Sequence, residues 1–249
     1  MGFSTRSYTQ PYTMGGGIPR GVKLLLLVNV AVFLVTTFMG RTELGTWLVS
    51  TFGLRPADVL GRFFLWQMVS YLFLHGDIFH ILYNMLALWF FGSELERLWG
   101  TDKFMRFYFI CGVGAGVVVV LANYLFGNPA SLTIGASGAI YGILLVAAVL
   151  WPDRIIILFI FPIKLKYFVM IMGVIALYNL QNINSGVSDI AHLSGMLFGY
   201  LFLKMPRVRG FDPLSSVRHG YREWKLARAK KKFQVYMRKQ GSKRGPWVQ

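Results

Sequence analysis

Three apolar stretches of this sequence each carry residues whose types and spacing suit hydrolytic chemistry. In HILYN, His80 and Asn84 stand four residues apart, hence on one helical face and one turn from each other. In IGASGAIYG, Ser137 opens an apolar run with Tyr141 one turn further on. In DIAHLSGMLFG, His192, Gly195 and Gly199 recur at i, i+3 and i+7, a stripe whose glycines permit close approach of a neighbouring helix. Amide hydrolysis needs a nucleophile, a base to take its proton and donors for the oxyanion. Ser137, His192 and the His80/Asn84 pair supply all three. Each residue alone has a plainer use: a polar group bonding across helices, a serine bonding back to its own helix, a glycine that packs. Polar and ionisable residues inside apolar helices are nonetheless expensive enough to read as a site when they occur together.

Ser137 at a helix start sits among unpaired backbone N–H groups and at the positive end of the helix dipole, where developing negative charge is favoured. The G-x-S-x-G signal of soluble hydrolases is not met, because Ala139 holds its last position and no strand precedes the serine. Asp189 lies one turn before His192; an orienting role is open to it, but a surface helix cap is the plainer reading, so a dyad is expected rather than a triad. A metal site from His75, His80 and His192 lacks carboxylate companions at ligand spacing, and no HExxH occurs, so neither metal nor cofactor is expected. The single cysteine, Cys111, lies in an apolar run and reads as a small buried hydrophobe.

The elements that position these residues follow from composition. Of 249 residues, 55% are hydrophobic and 14% charged, and the mean hydropathy is +0.52, which excludes an ordinary soluble domain. Six stretches, 22–39, 78–95, 104–126, 137–151, 167–183 and 187–205, approach the about 20 apolar residues of a spanning helix. The expectation is an all-α polytopic membrane protein with six transmembrane helices: a segment 1–21, a membrane core 22–205 and a basic tail 206–249. The first run is too long for a signal-peptide core and no A-x-A site follows it.

Lys and Arg total 26 against 10 Asp and Glu, with 14 of the 26 between Lys204 and Arg244. The rest are scattered between apolar runs, so nucleic-acid binding is not expected. Alternate connections place 23 of the 26 cations on one side, which predicts both termini in the cytoplasm. The tail is either a basic helix on an anionic leaflet or a solvated topology determinant. The first connection, 40–77, is apolar enough for short helices in the membrane interface. GNPASLTIGA (127–136) is uncharged and leads straight into the Ser137 run, so it is expected to dip into the protein and line a water-filled cavity enclosed by the second, fourth and sixth helices.

On these residues the chain resembles the rhomboid family of intramembrane serine proteases. The resemblance runs over about 22–205 and rests on four motifs in order: His80 with Asn84, Gly92/Glu96/Gly100, Gly135-Ala136-Ser137-Gly138, and Ala191-His192 followed by Gly195 and Gly199. It implies a rhomboid-like fold, Ser137 as nucleophile and His192 as general base, with His80, Asn84 and the Ser137 backbone N–H as the oxyanion hole. Tyr141 matches the aromatic that stacks on the catalytic histidine; Gly135, Gly138 and Gly195 belong to the supporting motifs. His75 matches a structural histidine held by loop hydrogen bonds, and Glu96 and Arg97 read as structural. Trp66-Gln67 departs from the Trp-Arg of many bacterial members, which bears on the first loop's hydrogen bonding and not on the chemistry. The resemblance further implies single-span membrane proteins as substrates, cut at small residues near the external face; the absence of targeting signals sets the expectation of a prokaryotic cytoplasmic membrane. Two readings compete: a rhomboid fold that binds clients without cutting them, and a polar transport path through His80, Asn84 and His192 whose flux would survive loss of Ser137.

Overall fold

In the computed structural model, which describes residues 17–40, 42–158, 161–180, 186–205, 223–231 and 233, each of the six apolar stretches carries helix over most of its described residues. The lead-in 1–16 and most of the basic tail lie outside the described residues. Helix α1 (Arg20–Met39) follows Pro19, and α2 (Glu43–Phe52), α3 (Pro56–Gly61) and α4 (Gln67–Ser70) are the short helices of the first connection. Thr42 caps α2 by accepting from Gly45 N–H, and Pro56 occupies the first position of α3, where its missing N–H costs nothing. Trp47, Phe63, Leu65 and Trp66 are exposed along this connection, as the interfacial reading requires.

Helix α5 (Ile78–Ala87) runs through a π-helical turn at Leu88–Gly92 into α6 (Ser93–Trp99), so the second stretch is one apolar rod, Ile78–Trp99. It ends at Gly100, whose φ of +81° is open to glycine and strained for other residues. Then come α7 (Thr101–Phe126), α8 (Ser137–Leu150), α9 (Leu165–Asn179) and α10 (Gly186–Lys204). Among the described residues, α1, the α5–α6 rod and α7 are long and apolar enough to cross a membrane on their own; α8 and α9 are shorter apolar helices. The molecule is an all-α polytopic membrane protein in character, with one pair of strands among the described residues. Ile155–Leu158 and Phe161–Lys164, between α8 and α9, pair as antiparallel strands β1 and β2.

Helices α7, α8 and α10 pack most tightly, and small residues let them. A Cβ on Gly195 would lie 1.8 Å from the Gly138 carbonyl oxygen, and one on Gly199 2.9 Å from that of Gly142. On the other flank, a Cβ on Gly142 would meet Cys111 Sγ at 2.7 Å. Phe104, Phe107, Tyr108, Cys111, Ala139 and Ile143 are fully or almost fully buried around this seam. Leu24, Leu27 and Phe38 on α1 and Met170 and Val174 on α9 stay exposed, a pattern suited to lipid.

Glu96 ties the rod to α1. Its carboxylate accepts from Gly21 N–H at 2.8 Å and Val22 N–H at 2.7 Å, and from Thr101 Oγ1 at 2.6 Å. A buried acid is stable there because the first N–H groups of α1 have no partner within their own helix. Contacts divide the chain into a unit Met1–Lys204, which holds all of the above, and a unit Met205–Gln249. In the latter, 223–231 are helical and the Arg228 guanidinium lies 5.0 Å from the Trp224 ring centre.

Candidate active site

Ser137 is the first residue of α8, so its own N–H has no carbonyl one turn back to bond. The segment leading to it is held by the first connection. Leu54 and Thr133 exchange two backbone hydrogen bonds of 2.9 Å, Ala57 N–H donates to the Pro129 carbonyl, and Gly135 N–H to that of Tyr71 at 2.9 Å. The Tyr71 hydroxyl in turn donates to the Gly112 carbonyl of α7 at 2.6 Å. The backbone groups of Pro129, Thr133 and Gly135 in the 127–136 loop are thus bonded to the first connection, as irregular chain inside a membrane requires of its buried groups.

Across the α8–α10 seam, Ser137 Oγ stands 2.9 Å from His192 Nε2, although the two residues are 55 positions apart. Tyr141, one turn along α8, lies flat on the imidazole with ring centres 4.0 Å apart and planes 3° from parallel. The glycines at the seam are what allow this approach: Gly195 is one turn beyond His192, and Gly138 follows Ser137.

His80 enters from α5. Asp77 caps that helix, accepting from Phe79 and His80 N–H at 2.9 Å each. The Gly76 N–H reaches His80 Nδ1 at 3.4 Å, which makes Nδ1 an acceptor and leaves the proton of the neutral ring on Nε2. That Nε2 faces Gly135: a Cβ there would sit 2.6 Å from it and 3.8 Å from Ser137 Oγ. Gly135 also adopts a φ of +123°, so two independent constraints keep a side chain out. Asn84 is buried and spends one amide N–H on the His80 carbonyl of its own helix, at 2.7 Å.

Two residues behave otherwise than their sequence readings, and a third shows what its departure does. His75 is not held by loop hydrogen bonds: with the Phe73 backbone nearby but short of bonding geometry, its ring packs edge-on to His80, centres 5.0 Å apart. Burial, and then the neighbouring His80, push its pKa down to about 4. Asp189 is not a surface cap; it is 8% exposed and turns toward His192, Oδ1 to Nδ1 3.6 Å. Gln67, where the resemblance has Arg, is fully buried and stitches the first connection, accepting from Arg55 N–H at 3.0 Å and donating to the Thr51 carbonyl at 3.2 Å. Trp66 Nε1–H donates to that same carbonyl at 3.0 Å. Tyr71 and Gly112 have no spacing relation to the motif residues, so nothing in the sequence points to them.

Among the described residues, no group of three or more His, Cys, Asp or Glu could hold a metal ion. An apolar groove of about 390 Å³ lies between α1 and the first connection, lined by Val28, Val32, Leu48, Phe52 and Phe73, and shares no lining residue with the Ser137 site.

Comparison with known proteins shows which family the chain is similar to. A family model described as Rhomboid domain matches residues 62–206. RHOMBOID-like protein 1 of Arabidopsis thaliana is 32% identical over 63% of this chain and 39% of its own length. Rhomboid protease GluP of Bacillus subtilis is 29% identical over 55% of this chain and 25% of its own length. Rhomboid protein 1, mitochondrial, of Saccharomyces cerevisiae is 28% identical over 78% of this chain and 56% of its own length. The chain therefore spans between a quarter and somewhat over half of the length of these relatives.

Proposed function

The chain belongs to the rhomboid family, and on that premise we propose that it is an intramembrane serine endopeptidase working through Ser137 and His192. The observation that carries the reading is the 2.9 Å approach of Ser137 Oγ to His192 Nε2 at the start of α8, with Tyr141 fixing the imidazole plane. His192 Nε2 takes the Oγ proton as Oγ bonds to the scissile carbonyl carbon, whose oxygen becomes the oxyanion. Collapse breaks the C–N bond, Nε2–H protonates the leaving amine, and water then hydrolyses the acyl-enzyme by the same route. The Ser137 N–H, His80 Nε2–H and the second amide N–H of Asn84 are the donors assigned to the oxyanion.

The depth of the site supports an intramembrane reaction. The 14 residues of α8 span about 21 Å, against about 30 Å of hydrocarbon. A helix whose far end reaches one membrane surface therefore starts below the other. A substrate helix cannot offer carbonyls that are bonded internally, so the segment cut carries small or helix-breaking residues and unwinds on entry. Single-span membrane proteins, cut near the external face, fit that demand. The cation asymmetry supports both termini in the cytoplasm, with 22–205 as the membrane core and 206–249 as a cytoplasmic tail; a prokaryotic cytoplasmic membrane is the setting proposed.

The test is labelling of the detergent-solubilised chain by a fluorophosphonate probe. The intact protein is expected to label, and Ser137→Ala and His192→Ala are not. A folded intact chain that stays unlabelled overturns the reading in favour of client binding without cleavage.

A further inference from the structure

For Nε2 to accept the serine proton, His192 must carry its own proton on Nδ1. That atom is buried, and no hydrogen-bond partner reaches it within normal range. An unpaired buried N–H is costly, and the cost grows once the ring becomes an imidazolium. The atom facing it is Asp189 Oδ1 at 3.6 Å, one turn earlier on the same face of α10. The Asp189 side chain is 11% exposed and that of His192 16%, so water does little to screen either. A carboxylate buried to this degree needs a partner as much as the ring does. Among the described residues, the ionisable or polar side chains that face His192 are Asp189 from its own helix, Ser137 and Tyr141 from α8, and His80 from α5. Asp189 is the acid of that set.

We propose that Asp189 is a positioning residue that turns the Ser137–His192 pair into a triad built by i,i+3 spacing on one helix. It holds the Nδ1–H tautomer of His192 and lies opposite the positive charge that forms when Nε2 takes the Oγ proton. The 3.6 Å gap closes by a few tenths of an ångström as that charge develops, since such contacts tighten on the way to the transition state. Asp189 touches neither the scissile bond nor the oxyanion. The inference rests on the serine-protease reading above and adds a member to it.

Two measurements test it, one independent of activity. In histidine-¹⁵N-labelled protein, the four histidines report their tautomers by nitrogen chemical shift, with His192 assigned by its loss in His192→Ala. The intact chain is expected to show the Nδ1–H tautomer of His192, and Asp189→Asn to convert much of it to Nε2–H. Asp189→Asn should also slow fluorophosphonate labelling on the order of 10²-fold, less than the roughly 10⁴-fold of a fully hydrogen-bonded triad aspartate because the resting contact is longer. An Nε2–H tautomer in the intact chain overturns the proposal, as does labelling of folded Asp189→Asn within about two-fold of the intact rate. If the intact chain does not label at all, the protease reading fails, and the tautomer measurement still decides whether Asp189 holds His192. Should Asp189→Asn not fold, the intact chain's tautomer decides alone.

Discussion

Gly195 and Gly138 meet backbone to backbone across the α8–α10 seam, with room for no more than a hydrogen between the Gly195 Cα and the Gly138 carbonyl oxygen. Gly195 lies one turn from His192 and Gly138 next to Ser137, so the contact that closes the seam also sets the spacing of the reacting pair. Gly195→Ala is therefore expected to cost about 3 kcal/mol or more, read by unfolding in mixed micelles, and to abolish probe labelling. Gly173→Ala on α9 is the control: its Cβ would meet only the Met196 thioether at 3.7 Å, an ordinary contact. A helix interior that accepts alanine gains up to about 1 kcal/mol, so the control should be neutral or slightly stabilised. Equal stability of the two variants would remove the seam argument.

Gln67 accepts and donates at once, a combination that arginine cannot supply because a guanidinium has no acceptor. Gln67→Arg and Gln67→Ala should both leave the Arg55 N–H without its partner, at about 1–3 kcal/mol. Hydrogen exchange is the direct readout, with the Arg55 amide expected to exchange faster in either variant than in the intact chain. Unchanged protection in Gln67→Arg would mean that another group takes over the bond.

Asn84 already gives one N–H to its own helix, so its candidate contribution to the oxyanion is a single hydrogen bond. Losing one such donor costs about 10² to 10³ in rate. Asn84→Ala should reduce turnover of a membrane-embedded reporter by that factor while the unfolding midpoint barely moves. Asn84→Asp should do worse, since a carboxylate puts negative charge where the oxyanion forms. An active Asn84→Asp enzyme would take Asn84 out of the oxyanion hole.

His75 predicts the pH response of the first connection. Burial, followed by the neighbouring His80, lowers its folded pKa to about 4 from 6.5. Above pH 6.5 the ring is neutral in both folded and unfolded chains and contributes no pH dependence. Between about 6.5 and about 4 the unfolded chain binds the proton and the folded chain does not, so stability falls as pH falls, by about 3 kcal/mol over the whole window; below it the contribution is flat. His75→Phe should flatten unfolding midpoints across that window. A variant with the parent's slope would assign the acid sensitivity to other groups.

Much of this molecule is legible from its residues in order. The apolar runs become helices because a backbone in lipid must bond within its own segment. The His80/Asn84 face, and Ser137 at the head of its run, follow from helical period alone. Periodicity, however, relates residues only within one helix, and apolarity cannot say which face of a helix meets protein, since lipid is as apolar as leucine. Tertiary structure decides the rest. It brings Ser137 within 2.9 Å of a histidine 55 residues away and sends Glu96 back 75 residues to the start of α1. It buries Gln67, turns Asp189 inward from the surface position that its place near a helix start suggests, and pairs 155–158 with 161–164 as antiparallel strands. For Ser137, Glu96 and Gln67 the deciding term is a polar group finding its partner on another element, a pairing that depends on how backbones approach and not on spacing along the chain.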